Sequence, residues 1–369
     1  MAFDPIQEDC LRLILEGMRR DRIYPLENSD YIARNMEAFQ RDPAQLIRTD
    51  RDRSFHLTAK AALVADYQAP FAADEEERDR QDGVAAGYLQ EAVSLDPGNW
   101  DAQRMLAEMD AETNDAFLTY LRENREAVAH DAAVAVASAQ DPYSREYASD
   151  LAHRPYLRWL AALASRALIS GRYRMALDTA NSSLAYAPDD PADVRHTAVL
   201  AMAKLEYTSK EISAWQRAHA AAYVEDGPAQ RLDDAADATG SAPRRRHTDP
   251  WTLLARLSAA WRSFDYDAAD RVLRDLLRIC PRAPHVLYYQ AEFAEGLFSR
   301  LNVEPGSEDE LMLAVSEATP LLQEGLDAPE CAPFSAWISN NERVVGALDD
   351  RDAVDAAKHA HGARPWGES

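Results

Sequence analysis

The chain has 369 residues, 47% of them apolar, and carries 63 acidic against 40 basic side chains for a net charge of −23. This excess of negative charge repels nucleic-acid phosphate and anionic lipid, so we expect neither nucleic acid nor a membrane as partner, although the charge can also serve only to keep the protein in solution. Glycine is scarce, and long stretches of Leu, Ala, Glu, Arg and Gln predict an all-α chain, since these residues cost least in a helix.

Residues 1–50 are predicted to form an N-terminal helical cap. A first helix is expected from Pro5 to Arg20, with Asp4 capping it, and a second is expected from Asp30 to Asp42. The N-terminal segment shows no basic leader followed by an apolar block, and no run reaches the roughly 18 apolar residues of a membrane span. These features predict a cytoplasmic protein.

Residues 51–224 are predicted to contain helical repeats. The acidic stretch from Asp74 to Asp82 is either a solvated loop or helix end, or a surface that attracts a basic partner. The clearest helical hairpin follows, with helices over Tyr156–Ile169 and Met175–Tyr186 around a turn at Gly171.

Residues 225–249 lose apolar periodicity and collect Gly, Pro, Ser, Asp and Arg, which predicts a flexible linker or loop. Its basic run Arg244–His247 is either a flexible charged segment or a site for phosphate or an acidic partner. More helical repeats are expected over residues 250–348, and a C-terminal tail over residues 349–369. Within these later repeats, single helices are expected over Tyr266–Ile279, His285–Arg300, Leu311–Leu326 and Ser335–Leu348.

Three helix-forming runs share one spacing: an alanine, a second apolar residue four positions later, and a proline eight positions after that. The sets are Ala85, Leu89 and Pro97, then Ala176, Ala180 and Pro188, then Ala269, Leu273 and Pro281. Successive prolines lie 91 and 93 residues apart. Such internal periodicity is typical of repeat proteins.

The second and third sets resemble the tetratricopeptide repeat family, because each follows a helix with apolar residues at the expected core positions and an aromatic residue after the turn. These residues are Leu160, Leu163, Ala164 and Tyr173 in one set, and Leu253, Leu257 and Tyr266 in the other. The resemblance implies an α-solenoid, a right-handed superhelix of antiparallel helix pairs, here with irregular inserts. The chain also resembles the suppressor of tumorigenicity 7 proteins in the order of three segments, EAVSLDP, MLAEMDAE and YLRWLAALASRALISGRYRMAL. This resemblance does not indicate a biochemical activity.

We predict no catalytic residue, no cofactor and no metal. The motifs G-x-x-x-x-G-K-[ST], G-x-G-x-x-G, H-E-x-x-H and G-x-S-x-G do not occur. Cys10, Cys280 and Cys331 are too far apart in the sequence for a typical zinc motif. His359 and His361 could share a metal, but no third ligand stands beside them, and an exposed tail is the simpler interpretation.

The remaining candidate site is the concave groove of the superhelix, which the first helix of each pair would line. The residues expected in or near it are Arg158, Ser165, Arg195, Trp251, Ser258, Arg262, Tyr288 and Tyr289. Arginine and aromatic residues are frequent anchors of protein interfaces. The aromatic residues fit ordinary helix packing equally well, and the arginines fit solvated positions.

We therefore expect a non-catalytic helical-repeat scaffold or adaptor that binds a protein or peptide partner in a concave groove. Two alternatives remain open. One is an enzyme or sensor that holds a small ligand within the superhelix, and the other is a structural subunit of a larger assembly.

Overall fold

The computed structural model describes residues 4–24, 29–144, 151–223, 249–290, 303–323 and 332–348. Every regular element in these ranges is a helix, and no strand occurs in them. The all-α prediction is therefore confirmed for the described part of the chain. The predicted linker at 225–249 lies outside the described residues except for Asp249. The predicted tail at 349–369 lies wholly outside them.

The α-helices of the described ranges are α1 (Pro5–Asp21), α2 (Ser29–Arg41), α3 (Asp50–Tyr67), α4 (Glu75–Leu95), α5 (Trp100–Asp110), α6 (Asn114–Ser138), α7 (Arg154–Ile169), α8 (Tyr173–Tyr186), α9 (Val194–Lys204), α10 (Ser209–Ala218), α11 (Pro250–Arg262), α12 (Tyr266–Leu276), α13 (Ala283–Tyr288), α14 (Glu308–Glu317), α15 (Thr319–Leu322), α16 (Pro333–Ser339) and α17 (Glu342–Val345).

The predicted helix start at Asp4 is confirmed in atomic detail. The carboxylate of Asp4 accepts the backbone N–H groups of Ile6 and Gln7 at 2.9 and 2.8 Å, and Pro5 occupies the first turn of α1. Asp249 likewise accepts the N–H of Thr252 at 2.7 Å and caps α11. Both caps satisfy backbone donors that a helix start leaves without a partner.

The described residues form two compact units, which divide between Val194 and Arg195. This division precedes the predicted linker, so α9 and α10 belong with the later helices rather than with residues 51–194. Here the chain turns through positive φ angles at Asp190 and Asp193, and the Asp190 carboxylate accepts the N–H of Val194 at 2.9 Å to start α9.

Unit 1, which ends at Val194, contains two closely packed helix pairs, α3 with α4 and α7 with α8, and between them α5 and α6, which contact each other less. Neighbouring pairs also pack together, since α4 contacts α5 and α6 contacts α7. The first helices follow one another in contact, α3 with α5 and α5 with α7. We call the surface made by α3, α5 and α7 the first-helix face.

The alanines of the repeated spacing lie where the two helices of a pair meet. Ala85 and Leu89 of α4 are fully buried, as are Ala176 and Ala180 of α8. A small side chain at such a position lets two helix backbones approach closely, because little volume separates them.

Unit 2, which begins at Arg195, is built around α11. This helix pairs with α12 through buried Ala269 and Leu273, and it also packs against α10 and α14. The short helix α13 contacts α14, α16 and α17.

Three long helices predicted in unit 2 were wrong in extent. The segment predicted as Leu311–Leu326 is interrupted at Ala318, because Pro320 cannot continue α14 and instead lies in the first turn of the separate helix α15. The segment Ser335–Leu348 is interrupted at Asn341, whose side chain accepts the N–H of Arg343 at 3.0 Å and caps α17. The helix predicted from His285 ends at Tyr288 as α13, and residues 291–300 lie outside the described ranges.

Candidate functional site

Five charged side chains from three helices meet against the first-helix face and form the central ion network of unit 1. They are Glu8 and Arg12 of α1, Asp101 of α5, and Arg154 and Arg158 of α7. Glu8 is only 7% exposed and accepts hydrogen bonds from Arg12 at 2.9 Å, Arg154 at 2.9 Å, and Arg158 at 2.8 and 3.0 Å. Arg158 also donates to Asp101 at 2.8 Å, so it bridges two buried carboxylates.

The network keeps its groups charged. Burial alone would raise the pKa of Glu8, but Arg158, Arg12 and Arg154 outweigh burial and hold that pKa far below its usual range. Burial would lower the pKa of Arg158, but Asp101 and Glu8 raise it. Buried charges of this kind are tolerated only when they are paired and hydrogen-bonded, as they are here.

Further contacts hold α1 against α3. Asp9 is buried, and its carboxylate lies 2.7 Å from Nδ1 of His56. The guanidinium of Arg12 lies 3.8 Å from the centre of the Phe55 ring. Burial raises the pKa of Asp9, although its bond to His56 opposes that rise.

The apolar side of α1 packs elsewhere in unit 1. Ile14, Leu15 and Met18 are buried in one cluster with Ala139 and Leu151, which flank the connection between α6 and α7. The helix α1 is therefore held in unit 1 both by ion pairs to α7 and by an apolar cluster near the connection between α6 and α7.

Beyond α1, a second charged cluster of the first-helix face remains partly open to solvent. It contains Asp66 of α3, Arg104 and Glu108 of α5, and Arg166 of α7, and we call it the open cluster. Glu108 pairs with Arg104 at 3.4 Å and also with Arg166, and the Glu108 and Arg166 side chains are 35% and 28% exposed. Nε of Arg104 is buried and has no hydrogen-bond partner among the described residues.

Asp66 differs from an ordinary surface carboxyl. The residue is exposed, but many protein atoms lie around its carboxyl group. The desolvation that they cause raises the pKa of Asp66 to about 6, while Arg104 opposes this rise and Glu108 adds to it. The open cluster therefore changes charge close to neutral pH.

Of the residues predicted to line a groove, Arg158 and Ser165 lie in unit 1. Arg158 lies on the first-helix face, but its guanidinium is already engaged by Glu8 and Asp101. Ser165 of α7 is half-buried, next to Arg166 of the open cluster, and its hydroxyl donates to the carbonyl of Ala162 at 3.1 Å.

Two of the predicted residues in unit 2 are buried. Trp251 is 3% exposed, stacks on the His196 ring at 3.7 Å between centroids, and donates to Glu317 at 2.6 Å. Ser258 is 1% exposed. Both residues stand on α11, the central helix of unit 2, where burial on several sides is expected.

The other predicted residues of unit 2 are half-buried. Arg195 lies 3.5 Å from the Asp249 carboxylate, and Arg262 donates to the carbonyl of Ala203 at 2.9 Å. The rings of Tyr288 and Tyr289 lie 4.9 Å apart at the end of α13. The eight predicted groove residues are thus divided between the two units, with two in unit 1 and six in unit 2.

Sequence reasoning missed Glu8, Asp101 and the open cluster. One signal was present, because Glu8 and Arg12 lie on the same side of α1 as the buried Leu15, at spacings of four and seven residues. Two opposite charges on an otherwise buried stripe indicate partners elsewhere in the fold.

Unit 2 contains an open cavity of about 750 Å³ between α12 and α17. The Arg343 guanidinium on its wall is bound on two atoms by the Asp270 carboxylate, which also lies 3.7 Å from Arg274. The Asp270 carboxylate therefore offsets part of the positive charge of these two arginines.

No group of three or more His, Cys, Asp or Glu side chains is placed to hold a metal ion within the described ranges. None of the described helices is both long and apolar enough to cross a bilayer.

Comparison with known protein families, curated proteins and solved structures gives no match to this chain.

Proposed function

We propose that this protein is a non-catalytic scaffold or adaptor of the tetratricopeptide-like class, a right-handed superhelix that binds a protein or peptide partner in the cytoplasm. The observation that carries the proposal is the placement of α1. A helix of the chain itself lies against the first-helix face, and Glu8 joins it to Arg154 and Arg158 of α7.

A surface that holds one helix through paired charges can hold another segment by the same chemistry. The open cluster extends the first-helix face with two carboxylates and two guanidinium groups, contributed by α3, α5 and α7. A polar peptide segment would pair with Arg166, whose side chain is 28% exposed, because guanidinium groups bind carboxylates and carbonyls strongly.

Site-specific photocrosslinking tests the proposal in an extract of the source cells. The photoreactive amino acid p-benzoylphenylalanine replaces Ser165 on the first-helix face in one variant and Val84 on α4 in the control. Val84 is 45% exposed and lies on the second helix of its pair. We expect a protein to be captured through position 165 and not through position 84.

A charge reversal then tests whether the capture depends on the open cluster. Arg166→Glu should abolish capture through position 165, while Arg172→Glu should preserve it. Arg172 pairs with Asp115 at the turn after α7 and is 41% exposed, so it is a matched surface arginine. Equal capture from both positions, or capture that survives Arg166→Glu, would refute the proposed groove.

A further inference from the structure

Four of the described helices end in the same backbone turn. The residue after the helix or one step beyond has a positive φ, and the next N–H donates to the carbonyl five residues earlier. The residues with positive φ are Arg22 (56°), Gly171 (69°), Glu206 (65°) and Phe264 (57°). The corresponding hydrogen bonds run from the N–H of Ile23 to the carbonyl of Met18 at 2.9 Å, from Arg172 to Ala167 at 2.8 Å, from Tyr207 to Met202 at 3.0 Å and from Asp265 to Ala260 at 3.0 Å. This geometry ends many helices and favours glycine.

The turns at Gly171 and Phe264 occupy equivalent places, since each joins the two helices of a pair. Gly171 adopts the left-handed conformation without strain, whereas a bulky residue there is disfavoured because its Cβ crowds the backbone. The turn itself therefore does not need Phe264, and the chain builds the same turn elsewhere with glycine.

Packing does not explain Phe264 either. Its side chain is 79% exposed, the largest exposed fraction among the large apolar side chains of the described residues. Its ring lies edge-to-face with that of Tyr266 at 6.4 Å between centroids, and Tyr266 is 49% exposed. The two rings form an exposed aromatic pair at the tip of the α11/α12 hairpin.

Acidic residues adjoin this aromatic pair in the chain. Asp265 and Asp267 alternate with the two rings along the chain and are exposed. The neighbouring turn after α9 adds Glu206, whose side chain is 83% exposed. Arg262, the basic residue of this tip, is engaged by the Ala203 carbonyl at 2.9 Å and by Glu206 at 3.6 Å.

We propose that Phe264 and Tyr266 are the centre of a docking surface for a basic protein segment, in which arginine or lysine side chains lie on the rings and pair with the surrounding carboxylates. Cations bind aromatic faces, and carboxylates beside them add attraction and orientation. Exposed aromatic side chains are also common anchors of interfaces. This surface belongs to unit 2 and does not depend on the groove proposed in unit 1.

Binding of a fluorescein-labelled nine-residue peptide of alternating arginine and leucine, measured by fluorescence anisotropy with the full chain, tests the proposal. Phe264→Ala and Phe264→Gly should each weaken binding about tenfold, since both remove the ring. Phe264→Tyr should preserve it. Arg22→Gly is the matched control, because it changes the same kind of turn without touching the aromatic pair, and it should not weaken binding.

The carboxylates are tested separately. Asp267→Lys should weaken binding more than Asp79→Lys, which reverses an exposed carboxylate on α4. A peptide of alternating glutamate and leucine should bind at least about tenfold more weakly than the arginine peptide.

Thermal unfolding distinguishes docking from a structural role. Phe264→Gly should unfold at a temperature equal to or higher than Phe264→Ala, because glycine relieves the turn. A large fall in unfolding temperature for both variants would show that the ring stabilises the fold and would overturn the proposal. Unchanged peptide binding in both variants would also overturn the proposal. Self-association of the wild-type chain that Phe264→Ala abolishes would overturn it as well, because the surface would then bind a second copy of the chain.

Discussion

At the residue scale, Glu8 should contribute more to stability than any exposed acid of the chain. Glu8→Gln leaves Arg12, Arg154 and Arg158 with an excess of buried positive charge, and we expect it to lower the free energy of unfolding by about 3 kcal/mol. Chemical denaturation at neutral pH measures the change.

The control is Glu37→Gln, because Glu37 pairs with Arg41 at the same four-residue spacing and the same 2.9 Å distance as Glu8 with Arg12. Both side chains of the control pair are more than half exposed, so we expect a loss of less than about 0.5 kcal/mol. Similar losses for the two variants would contradict the described role of the central ion network.

The same network predicts a loss of stability in acid. The folded pKa of Glu8 is lowered from an ordinary value of 4.5, so its contribution is complete above that pH and is lost as the pH falls below it. The difference in unfolding free energy between wild type and Glu8→Gln should therefore shrink in acid.

Asp66 predicts the opposite pH dependence. Its folded pKa is raised to about 6 from 3.8, so the folded state holds a proton that the unfolded state has lost, and ionisation destabilises the fold as the pH rises through this range. Asp66→Asn should therefore raise the unfolding temperature relative to wild type at pH 7.5, and the gain should vanish near pH 4. Asp79→Asn on α4 is the control. A gain that does not change with pH would contradict the raised pKa of Asp66.

At the element scale, the helix pairs depend on small residues at their contacts. Ala85→Leu forces a larger side chain between α4 and its neighbours and should cost about 1–3 kcal/mol. Gly87→Leu, two residues later, meets no atom within 4 Å at its Cβ and should instead stabilise α4 by about 0.5–1 kcal/mol. Equal effects at the two positions, measured by denaturation, would show that the repeated alanine does not mark a close contact.

The sequence was informative about these pairs because their signals are local. Apolar periodicity, Gly171 and the alanine spacing together predicted α7 and α8 to within two residues at each end. The breaks at Ala318 and Asn341 were also encoded locally, by Pro320 and by the capping side chain of Asn341, but the apolar pattern runs through both and hides them.

The central ion network could not be predicted in this way. Glu8 and Arg158 stand 150 residues apart in the chain, and only the placement of α1 against α7 brings them together. The rise in the pKa of Asp66 has the same origin, since it depends on surrounding protein rather than on neighbours in sequence.

At the scale of the whole molecule, the two compact units predict separable unfolding. Each unit has its own buried core, and multidomain chains often unfold in more than one step. In calorimetry, Glu8→Gln should lower the transition of unit 1, whereas Leu254→Ala, which opens a cavity at a fully buried position of α11, should lower the transition of unit 2. A single transition that both variants shift equally would contradict independent cores.

The central claim is that the first-helix face binds a partner, and hydrogen–deuterium exchange of the full chain with and without the protein captured through position 165 tests it most directly. We predict increased amide protection in the segments around Arg104 and Arg166 when the partner is bound. Unchanged exchange in both segments of a verified complex would contradict the claim, because the partner would then bind elsewhere on the molecule.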